Sequence, residues 1–167
     1  MVTTVRVTTI YNCSLERAYK TPMLCDLSKI HTGYGIMPRV THTTNDNNWG
    51  QPGSSKRVFM AKSLTQKGGF ASIDHILERI ENQYWKIRVD HFQFWVLGFT
   101  KFIGEWKTTA LETNKIYVEY TYHLHFKNAL LYPICWIFAK TFWKRYMKKV
   151  LVNVKELAYQ EEPYLHR

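Results

Sequence analysis

Residues 133–160 read PICWIFAKTFWKRYMKKVLVNVKELAYQ and decide how the rest of the chain must fold. Apolar side chains recur at spacings of three and four, as on one face of an α-helix: Trp136, Ala139, Trp143, Met147, Val150, Val154 and Leu157. Proline is tolerated at a helix start because its missing N–H would be unpaired there. We predict one helix of about seven turns at roughly 3.6 residues per turn, which needs a broad apolar surface to lie on.

The preceding sequence supplies that surface as β-strands. Val2–Tyr11 is β-branched and alternating, and six later stretches have strand character: 36–44, 56–64, 70–80, 84–94, 99–111 and 116–126. Ser14 is an N-cap residue for a short helix after the first strand, and residues 26–29 indicate a second short helical piece. Residues 45–53 form a loop and residues 66–69 a tight turn with two glycines. The later connections are short, so sequence neighbours should pair as antiparallel hairpins.

Composition bounds the class of protein. The 167 residues fit a single domain spanning 1–167, and the aromatic content of 16% favours sheets, cores or pockets. The net charge of +10 has two interpretations, an anionic partner or simple solubility. Lysines and arginines are spread along the chain, which favours solubility over nucleic-acid binding. The cluster between Lys144 and Lys149 leaves a weak contact with an anionic surface as an alternative.

Cysteine usage indicates a reducing compartment. Cys13, Cys25 and Cys135 are odd in number and widely spaced, without a C-x-x-C motif, so we predict reduced thiols and a cytoplasmic protein. The N-terminus alternates and does not resemble a signal peptide. The charge-free stretch 129–139 is far shorter than the roughly 20 residues of a membrane span. His123 and His125 have no third ligand nearby in sequence, so we expect neither a metal nor a cofactor.

The order of elements is one strand, two short helices, six antiparallel strands and one long helix. That order, the sequence GQPGSSKRV at 50–58, the turn at Gly68-Gly69 and the last helix together resemble the helix-grip fold of the SRPBCC superfamily. This superfamily includes START-type lipid-transfer domains, pollen-allergen-like ligand carriers and aromatic polyketide cyclases. The resemblance implies an α+β fold, β-α-α-β6-α, with about seven curved antiparallel strands around the C-terminal helix. It also implies an apolar cavity that binds lipids, polyketides or similar molecules.

Alternation along the strands selects candidate ligand-binding side chains. The apolar face of the last strand carries Tyr120 and Tyr122, and strand five places Trp85 on its inner face. The complete candidate set combines these with three further tryptophans: Trp85, Trp106, Tyr120, Tyr122, Trp136 and Trp143. The facing of strand six, and hence of Trp106, is left undecided by its pattern. The alternative is a filled core in which the phenols bond to backbone or water.

An enzyme is the second hypothesis. His75 and His91 share faces with apolar neighbours, and an inward histidine can act as a general base at neutral pH. Either could serve a polyketide cyclase-, dehydratase- or hydrolase-like reaction with a cavity tyrosine. Asp74, Glu78 and Glu105 would join such a site if the facing is wrong by one residue. The alternative is that both histidines are satisfied structural residues, and the sequence leaves catalysis open.

The apolar stretch 130–138, LLYPICWIF, stands where the cavity mouth is expected. Many members of the superfamily enter the last helix with a more polar first turn. Three roles remain open for it: lining a lipid pocket, inserting shallowly into a membrane, or closing the cavity as part of the core.

Overall fold

The computed structural model describes residues 1–44, 48–64, 67–93 and 98–166. Seven strands form one sheet: β1 (Val2–Tyr11), β2 (Val40–Thr43), β3 (Ser55–Met60), β4 (Gly69–Ile80), β5 (Tyr84–Asp90), β6 (Phe99–Glu112) and β7 (Lys115–Phe126). The helices are α1 (Leu15–Leu24), α2 (Leu27–Ile30), α3 (Tyr132–Ile137) and α4 (Lys144–Tyr159). A 3-10 turn (Ala129–Leu131) precedes α3, and a π-helical segment (Phe138–Trp143) joins α3 to α4.

The sheet has the order β1-β7-β6-β5-β4-β3-β2, and every neighbouring pair is antiparallel. Hairpins join the strands from β2 to β7, whereas β1 pairs with β7 in a long-range register from Val2 opposite His125 to Tyr11 opposite Ile116. The sheet curves around the C-terminal helix. The predicted α+β helix-grip architecture is therefore confirmed.

The two short helices form where the sequence predicts them, and each begins at a capping residue. The Ser14 side chain accepts a hydrogen bond from the Arg17 N–H, and Asp26 does the same for Ser28. Buried indoles then fix these helices to the rest of the fold. Trp106 Nε1 donates to the carbonyl of Ala18 at 3.2 Å, which ties α1 to the inner face of β6.

The C-terminal helix is continuous in direction but not in helical type. In the π-helical segment the backbone bonds run from i to i+5, so the segment accommodates an extra residue and shifts the faces of the helix. Cys135 is consequently buried, whereas Trp136 is 45% exposed. This corrects the prediction of a single α-helical face that includes Trp136. From Trp143 onward the predicted apolar face is the buried one.

Two hydrogen bonds fix this helix against the sheet and α2. The Tyr11 hydroxyl donates to the carbonyl of Leu151 at 2.7 Å, and the Asn153 amide donates to the carbonyl of Ile30 at 2.7 Å. One contact comes from β1 and the other from α2, so α4 is fixed from two sides. The cavity wall that α4 forms is held in place by both contacts.

Several predicted strand ends are wrong. β2 begins at Val40, because residues 33–37 form a tight bridge in which Gly33 and Gly35 have positive φ. β3 ends at Met60 instead of residue 64. β5 ends at Asp90, and His91 turns the chain with φ 54. Parts of the predicted loop 45–53, of the turn 66–69 and of the end of strand five lie outside the described residues.

Candidate functional site

A cavity lies between the inner face of the sheet, the two short helices and the C-terminal helix. Its volume is about 110 Å³. Since a cavity needs roughly 10–15 Å³ to hold a single water, this one is large enough for a small organic molecule. The core is therefore not filled by its own aromatic side chains.

Aromatic side chains form much of the cavity wall. Trp85 and Trp106 stack with ring centroids 5.9 Å apart, and Tyr122 meets Trp143 edge to face at 5.3 Å. Five of the six predicted ligand-binding residues line the cavity: Trp85, Trp106, Tyr120, Tyr122 and Trp143. Trp136 does not, because the π-helical segment turns it outward. The inner face of β6 carries Phe102, Gly104 and Trp106, which resolves the facing that the sequence left open.

Two charged side chains also line the cavity. Lys56 is 2% exposed and Asp74 is 7% exposed, and the two are opposite each other in the β3–β4 register. The Lys56 ammonium lies 3.9 Å from the centroid of the Trp49 ring. Burial lowers the pKa of Lys56 to about 8, against the attraction of Asp74. Burial likewise raises the pKa of the Asp74 carboxyl to about 6, partly opposed by Lys56.

Neutral polar groups complete this side of the cavity. His31 Nδ1 and the Tyr146 hydroxyl are hydrogen-bonded at 2.6 Å. Burial, reinforced by the nearby Lys56 charge, lowers the pKa of His31 to about 4, so its ring is neutral at pH 7. Burial raises the pKa of both Tyr122 and Tyr146, which therefore remain protonated phenols. These side chains can donate or accept hydrogen bonds without adding charge.

The predicted catalytic histidines do not reach the cavity. His75 and His91 are absent from its lining and meet on the outer surface, where His75 Nε2 is 3.1 Å and His91 Nδ1 is 2.6 Å from Asp90 Oδ1. The hypothesis that His75 or His91 acts as a general base in the cavity is therefore wrong. The His75 side chain lies on the outer face of β4, and His91 lies beyond the end of β5. Asp74, the neighbour of His75, points inward and lines the cavity.

The outer histidines form a cluster that could hold a metal ion. One ligand atom each from His75, Asp90 and His91 lies within 4.8 Å of the others. Arg88 Nε, however, is 2.8 Å from the second carboxylate oxygen of Asp90. The guanidinium adds positive charge beside the site, which opposes cation binding.

Sequence reasoning missed Lys56 and His31 as cavity residues. Lys56 alternates with Val58 and Met60 along β3, so the two-residue period was a signal that its side chain shares their inward face. His31 follows α2, where no periodic pattern exists to orient it. Glu78 and Glu105, the other acids considered, lie outside the cavity lining, where both pair with Lys86.

The apolar stretch at the start of the last helix is mostly exposed. Leu130 is 87% exposed and Ile137 is 55% exposed, and Ile134 and Trp136 also face solvent. Phe138 alone of this stretch lines the cavity. Of the three roles considered, closing the cavity as part of the core does not fit these positions. Among the described residues, no helix combines the length and the apolar composition needed to cross a membrane.

Comparison with solved structures identifies the fold. A point mutant of norcoclaurine synthase from Thalictrum flavum superimposes with a TM-score of 0.69, at 10% identity over 98% of this chain and 98% of its own. An aromatase/cyclase from Streptomyces sp. R1128 gives 0.64, at 11% identity over 98% and 97%. A START superfamily protein from Mycobacterium smegmatis gives 0.63, at 13% identity over 95% and 98%. No protein-family model matches the sequence, and no curated protein matches it at a significant level.

These likenesses confirm the predicted resemblance at the level of fold. The chain has the helix-grip fold of the SRPBCC superfamily, with a curved sheet of seven antiparallel strands around a long C-terminal helix. At identities of 10–13%, the structural likeness establishes the fold alone. The ligand and any reaction have to be argued from the cavity itself.

Proposed function

We propose that residues 1–167 form one ligand-binding domain that carries a hydrophobic small molecule in the cavity between the sheet and the C-terminal helix. The observation that carries this proposal is an open cavity with an aromatic wall and a small polar region at one side. Pockets of this composition bind ligands through apolar contact and use a few polar groups for orientation. The five inward aromatic residues named above are the proposed ligand contacts.

The solved structures of the same fold support this proposal. Norcoclaurine synthase has been determined with dopamine and hydroxybenzaldehyde bound, and an aromatase/cyclase shares the architecture. Three cysteines, none of which takes part in a disulfide, support a reducing compartment such as the cytoplasm.

The test is native mass spectrometry of the protein purified from cells, followed by organic extraction of any bound molecule. We expect a stoichiometric adduct, or binding of an added naphthalene probe where no adduct is carried through purification. Ala71 lines the cavity, so Ala71→Leu should reduce occupancy by filling it. Ala110→Leu is the matched control, because Ala110 is exposed on β6. A clean apo mass together with no probe binding would overturn the proposal.

The exposed apolar stretch supports a second candidate role, contact with an anionic membrane surface during ligand exchange. Ile134 and Ile137 project from the helix start, and the exposed Lys127 and Lys144 flank them in sequence. Apolar side chains beside lysines suit the interface of an anionic bilayer.

Sedimentation with phosphatidylserine vesicles tests this role. The double variant Ile134→Ser/Ile137→Ser should lose binding, whereas Val152→Ser should retain it because Val152 is equally exposed farther along the helix. Failure of the unaltered protein to sediment with these vesicles would remove the candidate.

A further inference from the structure

We propose that Lys56 and Asp74 together bind one neutral hydroxyl group, that of a phenol or an alcohol, at the polar end of the ligand. This inference rests on the proposed binding function of the same cavity and names its ligand class. The two residues would act as a head-group site, and the aromatic wall would hold the apolar body.

The placement of the two side chains comes from the sheet itself. Lys56 and Asp74 are cross-strand partners in the antiparallel β3–β4 pair, so their side chains leave the same face of the sheet. That face is the concave one, and both residues line the cavity. The exposed fractions of 2% and 7% show that neither charge reaches bulk solvent around the side of the strand.

Neither side chain has a hydrogen-bond partner in the described part of the chain. The Lys56 ammonium contacts the face of the Trp49 ring, which attracts a cation but accepts no conventional hydrogen bond. No ion pair joins Lys56 to Asp74 among the described residues either. Buried charges without hydrogen bonds are costly, and native proteins nearly always supply a partner. A bound group that satisfies both side chains at once would remove this cost.

A hydroxyl is the smallest group that does so. Its oxygen accepts from the Lys56 ammonium while its proton is donated to the Asp74 carboxylate, with each heavy-atom distance at roughly 2.8 Å. A carboxylate ligand would bond to Lys56 but face repulsion from Asp74, and an ammonium ligand would meet the opposite problem. A hydrocarbon would leave both charges unpaired. The pair therefore selects a neutral hydroxyl over charged or purely apolar ligands.

The surrounding groups fit a neutral head group. His31, Tyr122 and Tyr146 line the same cavity and add no charge at pH 7, so among the described lining residues the charge comes from Lys56 and Asp74. Asp26 and Asp90 act on the pair from outside the lining. With pKa values of about 8 and about 6, both members are mainly charged at neutral pH. The hydrogen bonds to the hydroxyl are then charge-assisted on both sides.

The experiment compares four probes that share one apolar body: 2-naphthol, 2-naphthoate, 2-naphthylmethylammonium and 2-methylnaphthalene. Binding at pH 7 is measured by calorimetry on the full chain. We expect 2-naphthol to bind roughly tenfold or more tightly than 2-methylnaphthalene, because two hydrogen bonds to charged groups are gained. It should also bind more tightly than either charged probe.

Two variants test which residue donates a hydrogen bond to the hydroxyl oxygen and which accepts one from the hydroxyl proton. Asp74→Asn should weaken 2-naphthol and strengthen 2-naphthoate, because the repulsion of the carboxylate is removed. Lys56→Met should weaken 2-naphthoate and strengthen 2-naphthylmethylammonium. Glu78→Gln and Lys107→Met are matched controls at exposed positions of β4 and β6 and should leave the order unchanged. The affinities of the probes are compared as ratios within each variant. Partial unfolding weakens all probes by the same factor, so it does not change these ratios.

The outcomes separate this inference from the function on which it rests. If all four probes bind and 2-naphthol has no advantage, the head-group site is overturned while hydrophobic binding stands. If the order of probes is the same in Asp74→Asn as in the unaltered protein, the assignment to Asp74 is overturned. If no probe binds, 2-methylnaphthalene included, the proposed function itself fails.

Discussion

Gly104 lies directly opposite Tyr122 in the β6–β7 register, and a methyl group on Gly104 would come within 2.9 Å of the Tyr122 ring. Ile87 on β5 would be 3.1 Å from the same methyl group. Because Gly104 has no side chain, the Tyr122 ring can lie over it on the concave face of the sheet. A single glycine in the middle of the sheet shapes one wall of the cavity.

Gly104→Ala is expected to lower the free energy of unfolding by about 1–3 kcal/mol, because the Tyr122 ring and the Ile87 side chain must move. Urea denaturation measures the effect, with Lys107→Ala at an exposed position of the same strand as the control. Unchanged stability in Gly104→Ala would show that the ring moves aside without cost.

The buried ring of His31 predicts an acid-sensitive stability. Its pKa of about 4 in the folded protein is below the ordinary value of 6.5, so only the unfolded chain takes up a proton between these values. Stability is therefore lost as pH falls from 6.5 to 4, by at most about 3 kcal/mol. His31→Gln should flatten this loss in urea titrations at several pH values. Asp74, whose raised pKa acts in the opposite direction, is present in both proteins and cancels in the comparison.

Lys56 predicts a pH dependence of the same sign in the basic range. Its pKa of about 8 in the folded protein is below the ordinary 10.5, so the unfolded chain holds the extra proton between these values. Stability should rise as pH increases from 8 towards 10, by no more than about 3 kcal/mol. The measurement is the difference in unfolding free energy between the unaltered protein and Lys56→Met across this range. A difference that stays constant with pH would mean that Lys56 titrates normally.

The shifted faces of the C-terminal helix predict unequal costs for its tryptophans. Trp143→Ala should cost about 3 kcal/mol or more, because its side chain is 6% exposed and packs within the core. Trp136→Ala should cost less than about 1 kcal/mol, because its side chain is 45% exposed. Chemical denaturation of both variants compares them directly. Equal costs would contradict the π-helical offset.

The outer position of the two candidate histidines predicts that they do not affect binding. His75→Ala and His91→Ala should each leave the affinity for a naphthalene probe unchanged within about twofold, since neither touches the cavity. Tyr122→Ala, at the cavity wall, is the positive control. A tenfold loss in either histidine variant would place that residue in the site after all.

Much of the fold could be predicted because alternation was unambiguous where one face of a strand is buried. Residues 116–126 alternate cleanly, and the apolar set of β7 is buried as expected, with Tyr120 and Tyr122 lining the cavity. The same argument failed for β4, because Ile73 and Leu77 lie on one face and Ile76 on the other, so neither face is clearly the apolar one. A bulge between Ile76 and Glu78 then shifts the pairing with β5, so the facing of His75 could not be read from its neighbours.

The polar part of the site was less accessible to sequence reasoning. Charged residues on strands usually face solvent, and this general expectation outweighed the two-residue period that Lys56 shares with Val58 and Met60. The register of Lys56 opposite Asp74 is what shows that it is buried. Trp49 lies within the predicted loop 45–53, which has no periodicity, yet its ring contacts the Lys56 ammonium. These placements depend on tertiary contacts, which local patterns do not encode.

The π-helical segment also determines what a deletion would do. Removing one residue from Phe138–Trp143 would allow ordinary α-helical bonding, and the seven steps then left between Cys135 and Trp143 would cover about 700° at 3.6 residues per turn, close to two full turns. Cys135 would therefore stay on the buried face and Trp136 on the exposed one. A one-residue gap aligned within this segment is expected to leave the faces of the helix start unchanged, whereas the same gap within α4 would rotate them by about 100°.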